Sequence, residues 1–435
     1  MRRRTMTMWL VATLAIAGVA DGSEDGGELS RMGLTLELAL ERALRANPGL
    51  AGIQARYEAM AAIPSQVATL PDPVLSFGAV NFPTDTFHVG QEPMTQLQVG
   101  LSQTIPFPGK RSLREAASSH EAEAARSSVE ETRLRLIRDV SSNWWSLHYL
   151  DRAREVVRRN QELLRQFVQI AKTRYEVGDG LQQDVLLAQL ELSKLLDQAI
   201  QLDGARDVEA ARLNRLLDQP ANVPIELPRT EVGAFPNLLA QEELYERGAE
   251  SRPLLKRLRS EIDAAQSRVE LARKDYYPDF TVGAAYGARS GENPMPRGGD
   301  RTDLLTLRVS VNLPLYQSRK RAQAVSQRRS EMDRHRYALQ DETNAMRAEI
   351  SQAVADYRRA RDQLVLLDSG IIPQARQTVE SMLAGYQVGE VDFLNLVRSQ
   401  VTLYNYETLY WKAVTLANQA VARLTAAVGE EVQDG

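Results

Sequence analysis

The chain repeats itself, and that constrains its fold more than any single motif. The segment RYEVGDGLQQDVLLAQLEL from Arg174 aligns with GYQVGEVDFLNLVRSQVTL from Gly385 at a constant offset of 211. Tyr175 meets Tyr386, Gly178 meets Gly389, Gln189 meets Gln400 and Leu192 meets Leu403. Upstream, Pro73-Val-Leu-Ser-Phe-Gly78 matches Pro278-Asp-Phe-Thr-Val-Gly283 at offset 205, and Ile105-Pro106-Phe107 matches Leu313-Pro314-Leu315 at offset 208. The order is the same in both copies, so one unit of about 200 residues is used twice. Any fold proposed for the chain must accommodate two such units.

Each unit reads as helix, strand pair, very long helix, tight turn and return helix. From Arg111 to Val177 there is neither Gly nor Pro over 67 residues. A continuous helix of that length is about 100 Å long, far more than a globular core requires. The second unit has its counterpart from Leu315 to Ser369, interrupted by Gly370 and Pro373, and each long helix is followed by a return helix of about 39 residues. Gly178-Asp179-Gly180 and Gly389 suit turns that need positive φ after a helix. The sequence thus predicts two antiparallel helical hairpins with turns near 178–180 and 389–391.

Four segments alternate with period two, as half-buried strands do. Between Gln96 and Ile105, residues Leu97, Val99, Leu101 and Ile105 share one face and Gln96, Gln98, Ser102 and Thr104 the other. Between Leu305 and Leu313 the odd positions are apolar, and Thr306, Arg308, Ser310 and Asn312 alternate with them. Weaker partners run near 74–82 and 279–287. Polar loops, residues 83–93 and 288–302, join each pair. A soluble amphipathic sheet is one home for such strands. In an exported chain, strands of about 9 to 11 residues with one apolar face instead match a transmembrane β-barrel. Four strands cannot close a barrel, because about eight is the smallest and open edges are not tolerated in lipid. Closure is therefore oligomeric: three chains give about 12 strands, and two give about eight with little room for a lumen.

Export is read from the N-terminus. Arg2 to Arg4 precede an apolar stretch from about Met8 to Val19 and small residues at Gly18 and Ala20, the pattern of a signal peptide over 1–20. Residues 21–33 read as a flexible segment, and no cysteine is present to be lipidated or to form disulfides. With 53 basic against 57 acidic residues there is no basic excess for a phosphate backbone, so nucleic acid is not expected as a partner. His88, His120, His148 and His335 are widely spaced and no Gly-rich phosphate loop opens a helix after a strand. No enzyme activity, cofactor or metal site is expected.

These features together resemble the TolC-like outer-membrane efflux proteins, over about residues 34 to 429. The motifs that carry the resemblance are Tyr175-Glu-Val-Gly178, Tyr386-Gln-Val-Gly389, Thr402-Leu-Tyr-Asn405 and Pro106-Phe-Pro-Gly-Lys-Arg111. Leu70-Pro-Asp-Pro73 and Gln91-Glu-Pro-Met-Thr95 are similar to the heavy-metal branch of CzcC and CusC. The fold class so implied is mainly α with membrane β. Duplicated long helical hairpins and four strands per chain assemble as a trimeric 12-stranded outer-membrane barrel, continued by a helical barrel in the periplasm. The resemblance implies a homotrimer in outer-membrane lipid. Its partners are a periplasmic adaptor and an inner-membrane pump, of RND type, which supplies the energy. Direction of transport comes from the resemblance, since a tube serves import as well as export.

It also implies site residues. Adaptor docking falls on Val177, Gly178, Leu181, Asp184, Val185, Val388, Gly389 and Phe393, with Leu181 and Phe393 expected to be apolar and exposed at the tip. The family's carboxylate gate positions are occupied here by Asn395 and Arg398, which leaves Glu390 or Asp392 to supply a negative constriction. Arg398 is expected to pair with a carboxylate such as Asp184. Arg308 is expected to face the lumen. The chain divides into repeats at 34–220 and 241–429, a linker at 221–240 and a tail at 430–435. The reading is the exit duct of a tripartite efflux system passing metal ions, drugs or other small molecules. The alternative is a soluble periplasmic coiled-coil adaptor or scaffold, which would not need four duplicated strands with one apolar face.

Overall fold

The computed structural model describes residues 33–228 and 235–432. The predicted signal peptide, all of the predicted flexible segment but Gly33, linker residues 229–234 and tail residues 433–435 lie outside the described residues. Three short helices come first: α1 (Leu36–Ala46), α2 (Pro48–Ala61) and α3 (Ile63–Ala68). Thr35 caps α1 by accepting from the Leu38 amide, and Asn47 caps α2 by accepting from Leu50. Strands β1 (Val74–Val80) and β2 (Gln96–Ile105) follow, then helices α4 (Lys110–Glu176) and α5 (Gln182–Leu216). The second unit repeats the series with α6 (Gln241–Ser251), α7 (Pro253–Lys274), β3 (Phe280–Ala288), β4 (Leu304–Val311), α8 (Ala322–Leu366), α9 (Ile372–Gln387) and α10 (Phe393–Val428).

Helix α4 runs unbroken for 67 residues. Its buried residues Leu136, Val140, Trp144, Leu147, Leu150, Ala153, Val157, Leu164, Phe167 and Ala171 recur mostly at three or four positions, the spacing of one helix face. That stripe lets α4 pack along α5, α7 and α10. The return helices α5 and α10 have 35 and 36 residues, slightly shorter than the sequence suggests. The repeat extends to the core: Leu213 and Leu217 seal one cluster, and Leu424 and Val428, at the same offset of 211, seal the other.

The second long helix departs from the first where Gly370 and Pro373 lie. The sequence marks an interruption there, but the chain continues helically through a wider π turn over Leu367–Ile371. Proline has no amide to donate and its ring crowds the carbonyl four residues back, so a widened turn admits Pro373 without breaking the rod. A second π turn, Gln317–Arg321, carries β4 into α8.

The four strands form one antiparallel sheet in the order β1-β2-β3-β4. The new fact is the β2–β3 pairing, which joins the two units directly. The register places Phe77 opposite Val99, Val99 opposite Tyr286 and Tyr286 opposite Leu305, and likewise Leu75, Leu101, Ala284 and Leu307. One apolar face therefore spans the whole sheet, as the alternation requires. Within the chain it is uncovered: Phe77, Leu305, Leu307 and Val309 are each at least 70% exposed. The outer edges of β1 and β4 have no strand partner among the described residues. At the foot of the sheet, buried Lys110 lies 2.9 Å from Asp279 and 3.3 Å from Asp275, tying the start of α4 to the second unit. No described helix is long and apolar enough to cross a membrane.

Candidate functional site at the helical tip

The ends of the two hairpins, far along the helices from the sheet, come together in one cluster. Gly178 and Gly389 take φ of 85° and 83°, the left-handed conformation that ends α4 and α9 without a Cβ clash. Gly180 serves differently: a Cβ there would meet the Cβ of Arg174 at 2.9 Å. Beneath the turns, Leu164, Phe167, Ala171, Ala188, Tyr386, Phe393, Leu396 and Val397 form a buried core drawn from α4, α5, α9 and α10.

Phe393 corrects the sequence reading. Expected at the exposed tip, it is 1% exposed, with its ring 5.0 Å from that of Tyr386. As the first residue of α10 it turns inward, because the hairpin end has a cluster to complete; Leu394 is the neighbour left partly exposed. Asp184 is likewise buried and Val185 half-buried. Val177, Leu181 and Val388 are exposed as expected, together with Gly389 and the acidic pair Glu390 and Asp392.

Asp184 does not pair with Arg398. Its Oδ2 accepts from the Tyr386 hydroxyl at 3.4 Å, across from one hairpin to the other. Burial raises the Asp184 carboxyl above the usual carboxylate range, against the pull of that hydrogen bond, and the Asp392 charge raises it further. Burial, joined by the Asp184 charge, pushes the Tyr386 hydroxyl up to about 12, so it remains a donor at neutral pH. The Arg174 guanidinium sits 4.9 Å over the Tyr386 ring, donates to the Tyr386 carbonyl and donates at 3.1 Å to the Asp179 carbonyl. One arginine thus holds both turns. Asn395 and Arg398 are exposed, and Arg398 has no ion pair among the described residues. Deeper in, Gln400 Nε2 donates to Asn160 Oδ1 at 2.5 Å, a buried bond between α10 and α4.

Sequence reasoning located the turns but missed Arg174, Tyr386 as a donor, and the Asn160–Gln400 bond. The available signal was divergence at matched positions, Arg174 against Gly385 and Asp184 against Asn395. Arg308 lies on the polar face of β4, opposite Gly283, and is exposed. No group of three His, Asp or Glu able to hold a metal ion is present among the described residues.

The profile of the outer membrane efflux protein family matches residues 39–219 and 244–430. The chain belongs to that family. This efflux protein is 23% identical over 406 residues to the cobalt-zinc-cadmium resistance protein CzcC of Cupriavidus metallidurans, covering 91% of this chain and 90% of that one. It is 24% identical over 258 residues to the alkaline protease secretion protein AprF of Pseudomonas aeruginosa, covering 58% of this chain and 52% of that one. The solved structure of CusC, described with its transmembrane channel formation, superposes with a TM-score of 0.77 at 13% identity, over 91% of this chain and 92% of that one. The efflux protein thus has the fold of that channel over nearly its whole described length, and the predicted mainly α chain with four strands is the architecture found.

Proposed function

We propose that three copies of this chain close their sheets edge to edge into a 12-stranded barrel in the outer membrane, continued by the long hairpins as a tube through the periplasm. The single observation that carries this is the uncovered apolar face spanning all four strands, combined with free edges on β1 and β4. A sheet of this kind is unstable in water and incomplete in lipid until its edges find partners. The efflux protein would act as a passive exit duct, energised by an inner-membrane pump of RND type through a periplasmic adaptor. The adaptor would dock on the exposed Val177, Gly178, Leu181, Val388 and Gly389. Glu390 and Asp392, with Asn395 and Arg398 below them, would line the constriction, and Arg308 the lumen. The two repeats, 34–220 and 241–429, would each supply one hairpin to the tube. Of the two relatives, CzcC matches over nearly full length, which favours metal ions as cargo over secreted protein.

Planar-bilayer conductance of the purified protein, with its mass measured in parallel, tests the reading. Discrete openings from a species of about three chains are expected. A monodisperse protein that never enters the bilayer overturns it.

A further inference from the structure

Away from both sheet and tip, the two units meet at a basic cavity of about 160 Å³. Its charged lining is Arg135 and Arg138 of α4, Arg252 at the start of α7, and Arg423 of α10, set against Glu131 and Glu349. Four guanidiniums and two carboxylates line it, and two of the guanidiniums also reach carboxylates outside the lining. Arg138 Nη2 lies 2.7 Å from Asp139, and Arg423 Nη2 donates to Asp356 at 3.1 Å, which leaves the Arg423 Nε as its unpaired donor. Glu131 is already occupied: its Oε1 accepts from Arg135 Nε at 2.9 Å and its Oε2 from the Leu254 amide at 3.2 Å, capping α7. Glu349 is largely exposed and lies 2.8 Å from Arg252 Nη1, but off the N–H direction.

Arg252 is the decisive residue. Its side chain is only 7% exposed, yet neither Nε nor Nη1 has a hydrogen-bond acceptor, and the buried Nε of Arg423 has none either. A buried charged donor without an acceptor is costly, more so than a neutral one. The matched position of the first unit shows that the fold does not demand an arginine here. Asn47, which also precedes a proline that opens a helix, caps α2 with its own oxygen and donates to the Leu216 carbonyl at 3.0 Å. Arginine cannot cap a helix N-terminus, so the second unit recruits Glu131 for that task and leaves the guanidinium aimed into the cavity.

We propose that this cavity binds a small oxyanion, of the phosphate or carboxylate class, held by Arg252 and Arg423 with Arg138 at the rim. Planar guanidiniums present paired N–H groups that match such an anion, and the bound ion would join α4 of the first unit to α7 and α10 of the second. The site lies outside the sheet and the tip, so it does not depend on the channel reading.

The test uses the full-length protein in detergent, titrated with inorganic phosphate at constant ionic strength against chloride, followed by calorimetry and by ³¹P line width. Saturable binding of about one phosphate per chain is expected, weakened roughly tenfold or more in Arg252→Gln and Arg423→Gln, as loss of a charge-assisted bond implies. Acetate in place of phosphate distinguishes the two anion classes. Arg423 is partly exposed, so its variant keeps the test decisive if Arg252→Gln fails to fold. Absence of saturable binding, or binding unchanged in Arg423→Gln, overturns the proposal.

Discussion

The two turns of the duplicated chain share a backbone and differ in nearly every side chain that matters. At the offset of 211, Tyr175 is about half exposed while Tyr386 is buried, Gln182 is exposed while Phe393 is buried, and Gln189 is exposed while Gln400 is buried. The reverse holds at Asp184, which is buried opposite an exposed Asn395. The second turn adds the aromatic pair Tyr386 and Phe393 to an apolar core that both hairpins line, and the first supplies the carboxylate and guanidinium that reach into it. Duplication gave two equivalent turns, and divergence made each incomplete without the other. A tip built this way can be held or released by a few cross-hairpin contacts, whereas two self-sufficient turns would have nothing to exchange.

The sharpest way to break this comparison is to truncate the matched pair Phe393 and Gln182. Phe393→Ala should destabilise the tip by about 3–5 kcal/mol, the range for a buried phenyl ring, while Gln182→Ala stays within about 0.5 kcal/mol. Hydrogen exchange of the amides around both turns reads the difference, and equal effects would remove the asymmetry. Next in size is the tyrosine pair. Tyr386→Phe leaves Asp184 buried without its donor and should cost about 1–3 kcal/mol of local stability, with leak conductance rising in the bilayer. Tyr175→Phe, at an exposed ring, should change neither.

How much of this was legible beforehand follows from the same contrast. Period and offset fixed the turns, the four strands and their apolar face, because those depend on local spacing along the chain. Phe393 was misread because an apolar residue at a turn looks exposed when only its own hairpin is considered. Its burial depends not only on Tyr386 of its own hairpin but on α4 and α5 of the other unit, which no local pattern encodes. Asp184 was assigned Arg398 by charge alone, yet the hydroxyl of Tyr386 reaches it and the arginine does not. The β2–β3 pairing was hidden for the same reason, since nothing along β2 names its second neighbour. Gly370 and Pro373 were visible, but their outcome, a wider turn rather than a break, depends on how the rod is packed around them.

A smaller effect comes from pH. The folded-state value of Asp184 is raised above its unfolded value, so the folded tip binds the proton more tightly. The resulting stabilisation is fully present below the unfolded value of about 3.9 and is lost as pH rises through the raised folded value. Tip amides, corrected for intrinsic exchange, should therefore be better protected on the acid side of that window. Asp184→Asn should flatten the dependence while keeping an acceptor for Tyr386. Asn395→Asp places the same group at the exposed matched position and should introduce little dependence of its own.

The smallest expected effect is at Arg398. The residue is exposed and without an ion pair among the described residues, so Arg398→Glu should leave tip protection within about 0.5 kcal/mol of the parent. Within one chain the charge has nothing to hold. In the proposed trimer, three copies of the residue would approach the axis, and reversal there should alter ion selectivity through the local field without loosening either hairpin. Protection and conductance measured on the same variant separate these roles. Unchanged protection with altered selectivity places Arg398 on the pore. Reduced protection together with a larger leak would mean that Arg398 closes the tip through a carboxylate on a neighbouring copy, and the division of labour between the two turns would then extend across the assembly.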